Sequence, residues 1–159
     1  MKTLKLFGLT LMAILLSVNF TSCSKDDDPT KDPEKLVGEW FCIHEKNWGE
    51  YDGEKYSEED SYEFNKPKED SMKWKIKEGN GKNEFIIEEY FYDGNKWRDD
   101  GDFTVRLDGK KIIMLDDYEE DDEYTIETTY ELKGDNLKIK STEKGNNWED
   151  NYEVTFKKM

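Results

Sequence analysis

Residues 124–132, with the sequence YTIETTYEL, decide the fold class of this chain. Tyrosine, isoleucine, threonine, tyrosine and leucine occupy every second position, and threonine or glutamate stands between them. Successive side chains of a β-strand point to opposite faces of the sheet. The stretch is therefore predicted to be a strand with one face towards a core and the other towards water.

The same period of two continues on both sides of this stretch, and short clusters rich in Gly, Asp and Asn separate the runs. Asp108-Gly109, for example, is predicted to be a two-residue hairpin turn. The predicted strands cover residues 37–45, 60–65, 71–78, 84–92, 101–107, 110–115, 122–133, 136–142 and 148–157.

A run of consecutive antiparallel strands tends to close on itself, because closure removes the exposed edges. The predicted fold is therefore all-β, an antiparallel up-and-down meander that closes into a barrel of about eight strands. We assign this barrel domain to residues 36–159.

The first residues have the layout of a secretory signal. Lys2 and Lys5 precede an apolar run over residues 6–18, which is shorter than the roughly 17–25 residues that a membrane-spanning helix needs. Phe20-Thr21-Ser22-Cys23 resembles a bacterial lipobox. That resemblance implies that residues 1–22 are a lipoprotein signal peptide and that Cys23 carries a diacylglycerol and an amide-linked fatty acid such as palmitate. The alternative is a plain signal peptide that leaves Cys23 as a free thiol.

Residues 23–35 are predicted to be an acidic tether behind the acylated cysteine. The sequence Ser24-Lys25-Asp26-Asp27-Asp28-Pro29 resembles the tag that sends some lipoproteins to the outer face of the outer membrane. We therefore expect a lipid-anchored protein of the outer membrane that faces the cell surface. The same composition also makes a solvated spacer that keeps a domain away from the lipid.

Net charge limits the partners of the mature chain. Loss of Lys2 and Lys5 with the leader leaves 22 of the 24 basic residues against all 39 acidic residues, so the net charge moves from −15 to −17. Such a surface repels nucleic acid and anionic lipid headgroups. We expect no nucleic-acid partner, and a membrane contact through the N-terminal lipid alone.

The opening of the domain, Leu36-Val37-Gly38-Glu39-Trp40, contains a Gly-x-Trp motif, and residues 130–139 and 152–158 alternate as closing strands. Together they resemble the small lipocalin-like domains of bacterial lipoproteins. The resemblance implies a barrel whose inward side chains either line a pocket for a small apolar or amphipathic molecule or fill the interior. The candidate lumen residues are Trp40, Trp74, Tyr124 and Tyr130.

The sequence is compatible with two functions. The leading hypothesis is a non-catalytic, lipid-anchored, lipocalin-like protein that binds a small hydrophobic or amphipathic ligand in its barrel. The alternative is a surface interaction module that binds a glycan or a protein through exposed aromatic side chains, for which the candidates are Trp48, Trp97 and Trp148.

Catalysis, cofactors and metals have little support in the sequence. Cys42 and His44 are expected on one strand face, but a catalytic pair needs a third, orienting group, and zinc needs three or four ligands. The acidic run 116–123 and the segment 99–102 lack the spacing of a calcium loop and are expected to be solvated. We predict that the chain is not an enzyme and has no cofactor and no metal site.

Overall fold

The computed structural model describes residues 33–115 and 125–159. Cys23, Tyr124 and the acidic run 116–123 lie outside the described residues. A 3₁₀ helix, Pro33–Leu36, leads into the domain. The strands are β1 Gly38–Tyr51, β2 Glu54–Ser61, β3 Met72–Glu78, β4 Glu84–Tyr92, β5 Trp97–Asp108, β6 Lys111–Met114, β7 Thr125–Lys133, β8 Asn136–Lys144 and β9 Trp148–Lys158.

The nine strands form one antiparallel sheet in the order β2-β1-β3-β4-β5-β6-β7-β8-β9, and β1 also pairs with β9. That pairing closes eight strands into a barrel and leaves β2 as an additional strand outside the ring. The predicted all-β class, the antiparallel arrangement and the closure are confirmed, and the fold is consistent with a lipocalin-like barrel.

β1 is the strand on which the closure depends, because it changes partners along its length. Its first part, Gly38 to Phe41, pairs with β3, whereas its second part, His44 to Tyr51, pairs with β2. Its other edge pairs with β9 from Trp40 to Tyr51. β2 therefore lies beside the second part of β1, past the residues at which β3 pairs with β1 and completes the ring.

The barrel interior is built from the apolar positions of the alternating strands. Trp40 is the first strand residue of this core in chain order. Its Nε1 donates a hydrogen bond to the carbonyl oxygen of Leu36 at 2.7 Å, which fixes the 3₁₀ helix against the first strand. The other buried strand residues that form one cluster with Trp40 include Trp74, Ile76, Phe85, Ile87, Val105, Leu107, Tyr130, Leu132, Leu137, Ile139, Val154 and Phe156.

The first hairpin differs from the sequence prediction, which ended β1 at residue 45 and began the next strand at residue 60. β1 runs on to Tyr51, and β2 begins at Glu54. Asp52 and Gly53 join them with φ angles of 50° and 86°, as a type I′ turn requires. Every residue of β2 is exposed, so the strand has no apolar alternation that would predict it. The Asp-Gly dipeptide before it is the sequence feature that indicates the turn.

The β5–β6 turn lies one residue later than predicted. Asp108 pairs with Lys111, so the two central residues are Gly109 and Lys110 rather than Asp108 and Gly109. Gly109 has a φ of 59°, and Lys110 has no positive φ, which corresponds to a type II′ turn with glycine at its first central position.

Candidate functional site

Three of the four candidate lumen residues are buried in the barrel. Trp40, Trp74 and Tyr130 are 0%, 9% and 4% exposed, and Trp40 stands opposite Trp74 in the β1–β3 register. Tyr124 lies outside the described residues. The ring of Trp74 packs 4.4 Å from the ring of Phe156, measured between centroids. These side chains fill this part of the interior with one another, as large inward aromatic side chains do in a small barrel.

A polar cluster of Glu45, Tyr62 and Tyr152 lies further along β1. Glu45 stands opposite the buried Val154, so its side chain is on the inward face. Its two carboxylate oxygens accept hydrogen bonds from the hydroxyl groups of Tyr62 and Tyr152, the latter at 3.1 Å. Burial, together with the neighbouring Glu45 carboxylate, raises the pKa of both tyrosine hydroxyls well above their usual range. Both tyrosines are therefore protonated donors at neutral pH.

Two further polar groups lie along the same inward face. The side-chain oxygen of Asn47, which stands opposite Tyr152, is buried and has no hydrogen-bond partner among the described residues. Glu89 accepts a hydrogen bond from Nε1 of Trp74, and burial raises the pKa of its carboxyl group. Buried polar atoms are usually paired, so the orphan oxygen of Asn47 is an acceptor that a ligand or water could satisfy.

Cys42 and His44 do not lie on one strand face, although their spacing predicts it. Cys42 pairs with Phe156, but His44 pairs with the next residue, Thr155, because a β-bulge shifts the register between them. The bulge turns the two side chains to opposite faces of the strand. Cys42 is fully buried, and burial raises the pKa of its thiol to about 12. The imidazole Nδ1 of His44 instead lies 3.3 Å from the hydroxyl oxygen of Ser61.

The candidate surface tryptophans divide into two groups. Trp48 and Trp148 are far apart in the sequence, but both line one open groove of about 420 Å³. Trp97 lies elsewhere, on the outer face of β5, where its ring packs 5.4 Å from Tyr92 and 6.1 Å from Phe41. All three tryptophans are half-buried. The structure thus brings two of the three predicted residues to one groove.

The groove is bounded by β1, β9 and the turn that precedes β9. Trp48 pairs with Ser57 on β2 and with Asn151 on β9, which places it in the middle of a three-stranded surface. The Nζ atom of Lys46 lies 5.8 Å from the centre of the Trp48 ring. The other side chains that line the groove include Glu50, Asn147, Glu149 and Asn151.

A second groove, of about 660 Å³, adjoins the first and shares Trp48 with it. Its charged lining is mixed, since Lys46, Lys55 and Lys140 accompany Glu153. Lys140 and Glu153 form an ion pair at 2.9 Å across the two strands that carry them. The face around Trp48 therefore offers positive and negative groups together, in contrast to the strongly acidic chain as a whole.

Two glycines that the sequence analysis did not single out make room for the aromatic side chains of this site. A Cβ atom at Gly145 would lie 2.2 Å from Nε1 of Trp148, so the indole packs directly over the glycine. A Cβ atom at Gly49 would lie 2.6 Å from the hydroxyl oxygen of Tyr56, which donates a hydrogen bond to Asp150. In the sequence, Gly49 directly follows Trp48, and Gly145 stands three residues before Trp148.

Within residues 33–115 and 125–159, no helix is long and apolar enough to cross a membrane. In the same residues, no three His, Cys, Asp or Glu side chains come together in an arrangement that could hold a metal ion.

The fold defines the class of this protein as a small, closed antiparallel β-barrel of eight strands with one extra strand, compatible with a calycin-like architecture. No protein-family model matches the chain, and no curated protein matches it.

Proposed function

We propose that this chain is a non-catalytic, lipid-anchored binding module that recognises a glycan in the groove between Trp48 and Trp148. The observation that carries the proposal is the convergence of these two tryptophans, far apart in the sequence, on one open groove. A half-buried indole offers a rigid apolar face at a low cost in conformational entropy, and it suits ligands that have both apolar and polar surfaces.

The polar groups that line the groove match the chemistry of a sugar. A pyranose ring presents C–H groups on its faces and hydroxyl groups on its rim. The amides of Asn147 and Asn151 both donate and accept hydrogen bonds, and the carboxylates of Glu50 and Glu149 accept them. A few such groups around an apolar platform fix the orientation of a ligand and provide its specificity.

A small amphipathic ligand inside the barrel is the second candidate function. The packed aromatic side chains around Trp74 favour filling of the interior, but the inward face of β1 further along carries polar groups. The buried oxygen of Asn47 lacks a partner among the described residues, and Glu45 lies beside it on the same face. A ligand that donates a hydrogen bond there would satisfy this orphan acceptor.

The anchoring part of the proposal rests on the sequence before the described domain. Cys23 would be acylated after removal of residues 1–22, and residues 23–35 would connect the lipid to the barrel. The tag-like sequence after Cys23 supports an outer-membrane location with the groove facing the cell surface. The domain would then meet extracellular polysaccharide without entering the membrane.

A glycan array probed with the full mature chain tests the binding proposal, and calorimetry with the best glycan measures its affinity. We expect Trp48→Ala and Trp148→Ala each to reduce that affinity at least about tenfold, because each removes the side chain of a residue that lines the groove. Trp97→Ala is the matched control, since this half-buried tryptophan lies outside the groove. Equal losses in all three variants, or binding to no glycan, would contradict the proposal.

A further inference from the structure

β2 has one free edge. It pairs with β1 along its whole length, from Glu54 opposite Tyr51 to Ser61 opposite His44. In the part of the chain that the structure describes, no strand pairs with its other edge. All eight residues of the strand are exposed. β2 contains no proline, and no bulge interrupts its pairing with β1, so its backbone edge is protected only by the charged side chains of the strand.

The alternation of an antiparallel ladder identifies the backbone groups at this edge. The backbone nitrogen of Tyr62 donates to the carbonyl oxygen of Ile43 at 3.0 Å, so the two residues are at a hydrogen-bonded position of the ladder. Bonded and non-bonded pairs alternate along an antiparallel ladder. The residues that turn their N–H and C=O groups away from β1 are therefore Lys55, Ser57, Glu59 and Ser61.

Charge decides which kind of strand fits this edge. β2 has four acidic residues, Glu54, Glu58, Glu59 and Asp60, and one basic residue, Lys55. A second copy of β2 would bring acidic side chains against acidic side chains, which destabilises cross-strand pairs. A strand with lysine or arginine would place opposite charges in those positions. The net charge of −15 for the chain also attracts a basic segment at long range.

We propose that β2 binds an extended, basic segment of a partner protein by β-strand addition, so that the partner segment becomes a tenth strand of the sheet. Backbone hydrogen bonds to the free edge would supply the affinity, and the acidic side chains of β2 would select the charge of the segment. This site is separate from the proposed glycan groove in its chemistry, because it depends on backbone groups rather than on indole faces.

Synthetic octapeptides added to the mature chain test the proposal. The probe alternates lysine and threonine; one control carries an N-methyl group at every residue, which blocks both edges of the peptide, and another replaces lysine by glutamate. We expect only the unmethylated basic peptide to bind. We expect it to slow hydrogen exchange of the amides of Lys55, Ser57 and Glu59, whereas those of Glu58 and Asp60 already bond to β1. Equal binding of the methylated or the acidic peptide would overturn the proposal.

A proline substitution in β2 tests the proposal by changing the protein instead of the peptide. Ser57→Pro removes an N–H group that faces away from β1, so the pairing with β1 is kept, whereas Ser57→Ala keeps the N–H group and is the matched control. We expect the proline variant to lose affinity for the basic peptide at least about tenfold and the alanine variant to keep it. Undiminished binding by a folded Ser57→Pro variant would overturn the proposal, as would a dimer that occupies this edge. If Ser57→Pro does not fold, the methylated peptide decides.

Discussion

The indole of Trp74 and the phenyl ring of Phe156 lie against each other inside the barrel, with their centroids 4.4 Å apart and their planes inclined by 32°. Trp74 belongs to β3 and Phe156 to β9, and both strands pair with β1. The contact therefore spans the strand that closes the barrel. The same contact therefore fills the interior and holds together the two strands that flank β1.

Phe156→Ala is expected to lower the free energy of unfolding by about 3–5 kcal/mol, because it removes a fully buried aromatic side chain and leaves a cavity beside Trp74. Urea unfolding followed by tryptophan fluorescence measures the change. Phe64→Ala is the control, since Phe64 is 52% exposed and packs edge-on against Phe41. Equal losses in the two variants would show that the interior contact is not a main source of stability.

Cys42 is expected to be unreactive in the folded protein. Burial raises the pKa of its thiol to about 12, so almost no thiolate is present at pH 8, and the sulfur is inaccessible. A Cys23→Ala variant leaves Cys42 as the single cysteine of the chain. We expect its labelling by a maleimide at pH 8 to be at least about 100-fold slower without urea than in urea. Rapid labelling of the folded protein would contradict the buried position.

Asp93 is expected to titrate near pH 2. The backbone N–H of Lys96, the side chain of Arg98 and the backbone N–H of Asn95 donate to its carboxylate and lower its pKa to about 2. The pKa in the unfolded chain is about 3.9. The stabilising contribution of Asp93 is therefore fully present above pH 4 and is lost as the pH falls towards 2.

An NMR titration of the Asp93 carboxyl carbon checks this value. Arg98→Gln should raise the midpoint only in part, because the two backbone donors remain. A midpoint near 4 in the parent protein would mean that the turn between β4 and β5 does not form these hydrogen bonds in solution.

Gly145→Ala is expected to displace the indole of Trp148, because the new Cβ atom would lie 2.2 Å from its Nε1 atom. Overpacking of this kind costs about 1–3 kcal/mol, and the moved indole should weaken the groove for its ligand. Near-ultraviolet circular dichroism and calorimetry with the glycan measure both effects. Asn146→Ala changes an exposed neighbour and should leave both signals unchanged. An unchanged spectrum for Gly145→Ala would contradict the packing of Trp148 over the glycine.

The proposed acylation of Cys23 predicts that cells fed with an alkyne analogue of palmitate label the protein. Cys23→Ala should abolish the label, because the thioether-linked lipid can no longer form. Cys42→Ala should keep the label and is the matched control. Labelling of Cys23→Ala at the parent level would contradict the lipobox interpretation.

The alternation of side chains in the sequence predicted only part of the candidate site. Alternation placed Trp74 and Tyr130 on inward faces, since a period of two survives wherever one face of a strand is buried. It misplaced His44, because a bulge inserts one residue without any signature in side-chain type. It also left β2 unrecognised up to residue 59, because a strand that is exposed on both faces has no apolar period. Asp52-Gly53 was the local signal that would have identified the hairpin.

The sequence alone determined the all-β class, the antiparallel order of the strands and most of the inward-facing residues, because these depend on the local alternation of side chains and on short turns. The tertiary structure decided which strands close the ring, where β1 changes partners and which tryptophans line one groove. Trp48 and Trp148 share a groove because β1 pairs with β9 over its whole second half. Pairing between strands distant in the chain depends on the packing of the entire barrel, and no local pattern records it.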